Sequence, residues 1–171
     1  MADPENFGLS AEASLVEAVT FTSMATGMSW HINSLAPMMV TGAALMAQQA
    51  AAIALRAAGD IIPAQAGATE LVLRAANRER LPAPHTLPFQ SEARHAFDRM
   101  VAARNKFMHP RGESWEVAPA VLGRGLMASV RIVRHLILIQ PILPDLIPAR
   151  DQKEFASDLQ IIDDFGDFYA Q

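Results

Sequence analysis

Apolar residues recur along this chain at the spacing of a helix, and no stretch alternates them as a strand would. Phe21, Met24, Ala25, Met28 and Ile32 fall at i, i+3, i+4, i+7 and i+11, one face of a 3.6-residue period. Ser10, followed by Glu12 and Glu17, marks the start of this helix, because a hydroxyl accepts from the free N–H groups and acids favour the positive end of the dipole. His31-Ile32-Asn33-Ser34 ends it, and Pro37 suits the first turn of a second helix that runs to about Ala58 and stops at Gly59-Asp60. A short helix is predicted from about Ala68 to Arg80, with Ala68, Leu71, Val72, Ala75 and Ala76 inward. Three prolines make Leu81 to Pro88 a loop.

From about Pro88 to Met108 the stripe is Phe89, Ala93, Ala96, Phe97, Met100, Ala103 and Phe107, with Arg104 beside it. Arg94 and Asp98, four apart, are expected to pair on the outer side. Beyond Pro110-Arg111-Gly112, Ser114 is the expected N-cap of a helix with Pro119 in its first turns and a stripe of Val121, Leu122, Leu126, Val130, Val133 and Ile137. Arg124, Arg131 and Arg134 recur along it, with His135 adjacent. Residues 140–148 hold three prolines and end the bundle; from Asp151 a last helix sets Phe155, Leu159, Ile162 and Phe165 against six acids and Lys153.

The pattern predicts an all-α protein, an up-and-down bundle of four to five helices. Its organisation reads as a disordered N-terminus over 1–9, a helical bundle domain over 10–148, and an acidic amphipathic C-terminal helix over 149–171. A length of 171 residues suits one domain. Apolar residues make up 51% but aromatics only 6%; the excess is alanine and methionine, which favours closely packed helices. The chain has no cysteine, which excludes disulfides, a thiol nucleophile and cysteine-based zinc sites.

Leu35 to Leu55 is apolar for about a membrane-spanning length. It carries Gln48 and Gln49 near its middle and is mostly Ala and Met, which insert weakly, so a buried or dimer-facing helix is expected rather than a span. Met1-Ala2-Asp3-Pro4-Glu5 lacks the layout of a secretory signal. The protein is expected to be cytoplasmic, with no membrane partner.

Net charge is −4, but it is unevenly spread. Residues 74–134 hold 11 Lys and Arg against 5 Asp and Glu, whereas residues 1–73 hold 1 against 6 and residues 135–171 hold 2 against 7. A basic middle suits a phosphate-bearing partner. It equally suits basic and acidic blocks that face each other in the fold or across a dimer.

The chemistry concentrates at Arg104-Asn105-Lys106-Phe107-Met108-His109-Pro110. Pro110 biases His109 away from helical backbone. On a continued helix Arg104 and His109 would point about 140° apart; if the helix ends at Met108, the imidazole is free to swing back. An arginine that grips phosphate beside a histidine that moves a proton is a minimal kit for cutting RNA at its own 2′-hydroxyl. Arg104 and Lys106 also suit the carbonyl end of a helix for structural reasons alone. Arg80 and His85 repeat the spacing, but in a proline loop with Leu81 after the arginine, which reads as coincidence. The sequence has no glycine-rich phosphate loop, paired-histidine metal spacing or serine elbow.

The Arg104-Asn105…His109 segment resembles the signature of the HEPN superfamily of small helical proteins, an arginine followed by a polar residue and, a few positions on, a histidine. The family includes metal-independent endoribonucleases of toxin–antitoxin and phage-defence systems as well as members without catalytic activity. The resemblance implies an RNA substrate, a homodimer whose two motifs line one cleft, an antitoxin or nucleotidyltransferase partner, and no cofactor or metal. Transferred here, His109 would move the ribose or leaving-group proton, Arg104 would hold the scissile phosphate, and Asn105 would orient the phosphate or the imidazole. Lys106, Arg111 and His95 would help bind substrate. The competing expectation is a non-catalytic helical module, with the second helix as dimer interface and the acidic last helix docking on a partner or covering the basic face.

Overall fold

The computed structural model describes residues 11–29, 36–57, 67, 72, 87–88, 91–108 and 117–171. They form an all-α bundle of five helices, with no strand among the described residues: α1 (Ala11–Ser29), α2 (Ala36–Ala57), α3 (Ser91–Met108), α4 (Pro119–Arg134) and α5 (Gln152–Ala170). The 1–9 terminus and most of the helix expected near 68–80 lie outside the described residues; Val72, within that helix, is buried. Helices α1, α2, α4 and α5 close a ring, each packed on the next and α5 back on α1, while α3 lies mainly on α4. The buried face of α5, Phe155, Leu159, Ile162 and Phe165, belongs to the same core as Leu15 of α1 and Val40 of α2. The acidic helix therefore shares the core of the other helices.

Helix α1 buries a different face from the one its large apolar residues outline. Ser14, Leu15, Ala18, Thr22, Ala25, Thr26 and Ser29 are inside; Met24 is 48% exposed, Phe21 and Met28 are half-buried, and Ile32 lies outside the described residues. The reason is the partner. α2 offers Ala43, Ala44, Ala47, Ala50, Ala51 and Ala54, all buried, so the two backbones approach closely and only small side chains fit between them. The hydroxyls of Thr22, Thr26 and Ser29 donate to the carbonyls of Ala18, Thr22 and Ala25 at 2.8, 3.1 and 2.8 Å, which satisfies them within the helix. The alanine face of α2 is thus covered by α1 and α4 and is not a free dimer surface.

Helix α4 is the hub. It starts at Pro119, whose missing N–H falls where no helical bond is due. The N-cap position is Ala118, without a side-chain cap bond; Ser114, expected there, lies outside the described residues. Its stripe of Leu122, Leu126, Val130 and Val133 is buried as expected, with Val121 half-buried. Glycines bring its neighbours close. A Cβ on Gly123 would stand 2.5 Å from the Gly166 carbonyl oxygen of α5, and one on Gly125 would collide with the Met100 side chain of α3. Past Arg134 the helix widens into a π-turn, His135–Ile139, closed by the Gln140 N–H donating to the His135 carbonyl at 2.8 Å.

Candidate functional site

Helix α3 carries the described half of the motif on its last turns. Arg104 is half-buried, whereas Asn105 and Lys106 are exposed. The Arg104 Nη1 donates to Asn105 Oδ1 at 3.2 Å, so Asn105 orients the guanidinium. Arg104 also lines, with Thr41, Leu45, Val117 and Leu122, a crevice of about 10 Å³, room for about one water. No carboxylate among the described residues lies within 4 Å of the guanidinium. Its remaining N–H groups can donate to two oxygens of a phosphate. His109 and Arg111 lie outside the described residues.

His95 is exposed on an earlier turn of α3. Nine residues before Arg104, it sits half a turn round and about 13 Å away along the helix axis, so a single α3 does not bring the two together. Arg94 and Asp98 pair as expected, at 3.9 Å on the outer face.

The basic stripe of α4 meets the acids of α5. Arg134 Nη1 lies 3.7 Å from Asp163 Oδ2, its Nη2 donates to Gln160 Oε1 at 3.4 Å, and Arg124 Nη2 donates to the Ala170 carbonyl at 3.3 Å. Burial pushes the Asp163 carboxyl above its ordinary range, opposed by Arg134 and Arg131 and reinforced by Asp164 and Asp167. Part of the charge split in the sequence is therefore resolved inside the fold, along the α4–α5 seam.

Two features were hidden from the sequence. His135 stands at the junction of α4 and the π-turn and is 8% exposed. It lines a cavity of about 510 Å³ between α3 and the end of α4, together with Arg131, Arg134, Ile132 and Ile139. The recurring arginines were the visible signal; the π-turn that sets the histidine inward has no sequence mark. On the other side of the ring, Asp151, Glu154 and Asp158 rim a groove of about 400 Å³ floored by Val16, Val19 and Phe155. Burial raises the Asp158 carboxyl, and the charge of Glu154 raises it further.

Among the described residues no group of three or more His, Asp or Glu is placed to hold a metal ion, and no helix is long and apolar enough to cross a membrane. No family model, curated protein or solved structure matches this chain.

Proposed function

We propose that the protein is a HEPN-like, metal-independent endoribonuclease of a toxin–antitoxin or defence type, acting at the carbonyl end of α3. The observation that carries the reading is Arg104: a guanidinium at the edge of the bundle, aimed by Asn105 and claimed by no carboxylate among the described residues. In this reading His109 removes the 2′-proton, the 2′-oxygen attacks phosphorus, and the 5′-oxygen leaves with a proton. The products are a 2′,3′-cyclic phosphate and a 5′-hydroxyl. Arg104 stabilises the charge that builds on the phosphoryl oxygens, and exposed Lys106 adds phosphate affinity, with Arg111 in the same role. A homodimer brings two such helix ends to one cleft, through a surface other than the alanine face of α2. An antitoxin or nucleotidyltransferase partner would hold the activity in check.

A second reading, a non-catalytic helical binding module, is favoured by the position of the same residues. Cations in the last turn of α3 stabilise a helix whether or not they touch RNA. The two separate on mixed cellular RNA in excess EDTA. Cleavage by the wild type, abolished in a folded His109→Ala protein and in Arg104→Lys, is expected of the nuclease, because an ammonium does not reproduce the guanidinium fork. RNA left intact by every protein favours the module.

A further inference from the structure

The cavity between α3 and the end of α4 has the make-up of a small-molecule site. At about 510 Å³ it falls within the usual size range of ligand pockets. One wall is apolar: Leu87, Ala93 and Ile132 are buried, and Ile139 stands at the rim with 59% of its surface exposed. The other wall is cationic. Arg134 is already held by Asp163 and Gln160, so its charge is largely answered. Arg131 is exposed and has no ion pair within 4 Å among the described residues. Its charge is felt by Asp163 of α5 beyond ion-pair distance, and Glu92 of α3 lines a smaller cavity with it. A second, independent feature falls at the same place. The π-turn His135–Ile139 departs from regular helical bonding, and such turns occur frequently at functional sites; its first and last residues both line the cavity.

We infer that this cavity binds a small organic anion, an apolar body bearing one carboxylate or phosphate, with the head on Arg131 and the body against Leu87, Ala93 and Ile139. The site is separate from the Arg104 end. Ala93, in its wall, precedes Arg104 by eleven residues, about 16 Å along α3.

The test is calorimetric titration of the full chain with four probes: octanoate, octyl phosphate, octylammonium and inorganic phosphate. Spectra of the Ile132 and Ile139 methyl groups locate the binding. Saturable one-site binding of octanoate or octyl phosphate is expected, at least about tenfold tighter than octylammonium or inorganic phosphate; whichever octyl anion binds tighter identifies the head group. Arg131→Gln, an exposed change that leaves the protein folded, should weaken the octyl anion about tenfold, and Arg99→Gln on α3 should not. Octylammonium binding as tightly as octanoate would reduce the cavity to an apolar patch and overturn the inference. So would an Arg131→Gln protein of unchanged affinity, or no binding of either anion.

Discussion

The α1–α2 and α4–α5 contacts are built on opposite plans. Helix α1 meets α2 through Ser, Thr and Ala on one side and a run of alanines on the other, so attraction comes from close backbone approach spread along the whole length. Helices α4 and α5 bury larger side chains, Leu126 on one and Leu159, Ile162 and Phe165 on the other, and their backbones come together where Gly123 and Gly166 face each other. A contact of small side chains loses little when any one is trimmed, though it has little room for a larger one. A contact pinned at a single glycine pair fails there. The first plan also leaves larger apolar residues of α1 outside, with Val16 53% and Met24 48% exposed.

The sharpest way to break this contrast is one substitution made in both regions. Gly123→Ala drives a methyl into the Gly166 carbonyl at 2.5 Å and the Ala170 nitrogen at 2.8 Å. Both are backbone atoms, so the helices must separate. A loss of about 3 kcal/mol is expected, read as a fall of roughly 6–12 °C in melting temperature; an unchanged melting temperature would mean α4 and α5 are not in contact there. Next in size is the seam itself. Arg134→Gln leaves the raised, part-buried Asp163 carboxyl without its ion pair and should cost about 1 kcal/mol, measured by urea denaturation at neutral pH.

The same change at the α1–α2 contact should cost far less. A Cβ on Gly42 of α2 meets only the thioether end of Met28 of α1, at 2.8 Å, which can swing aside, so Gly42→Ala should cost about 0.5 kcal/mol or less. Equal losses at Gly42 and Gly123 would erase the distinction between the two contacts. The smallest effect is at Asp158 on the α1-facing side of α5. Its carboxyl is raised by burial and then by Glu154, so the folded state prefers it protonated, and that stability is lost as pH rises through the carboxylate range. Asp158→Asn should therefore gain up to about 0.5 kcal/mol at neutral pH, with the gain vanishing at acid pH. A gain that persists below the carboxylate range would point to packing instead of charge.

These two plans also explain what could be read from the chain. In α3, α4 and α5 the core includes large Phe, Leu, Ile, Val and Met side chains, so the spacing of large apolar residues picked out the buried faces of Phe97, Leu126 and Leu159 directly. In α1 the same rule selected Met24 and missed Thr22, because in a close helix pair size decides burial and hydropathy does not. The Arg94–Asp98 pair followed from spacing alone. The burial of His135 did not, because it depends on a π-turn set by tertiary packing. At the candidate site, the sequence placed Arg104 and Asn105 together at the helix end, but the bond between them is a matter of rotamers and only coordinates supply it.

The proposed chemistry leaves a mark on its product that no general stability change can imitate. Attack by the 2′-hydroxyl yields fragments ending in a 2′,3′-cyclic phosphate, with a 5′-hydroxyl on the downstream piece. The measurement is end-group analysis of RNA incubated with wild-type and Arg104→Lys protein in excess EDTA. Cyclic phosphate ends from the wild type, and their loss in a folded Arg104→Lys protein, are the predicted result. Fragments ending in 3′-hydroxyls, or cyclic ends made equally well by the lysine variant, would contradict the assignment of Arg104 to phosphate binding at a 2′-hydroxyl-driven nuclease site.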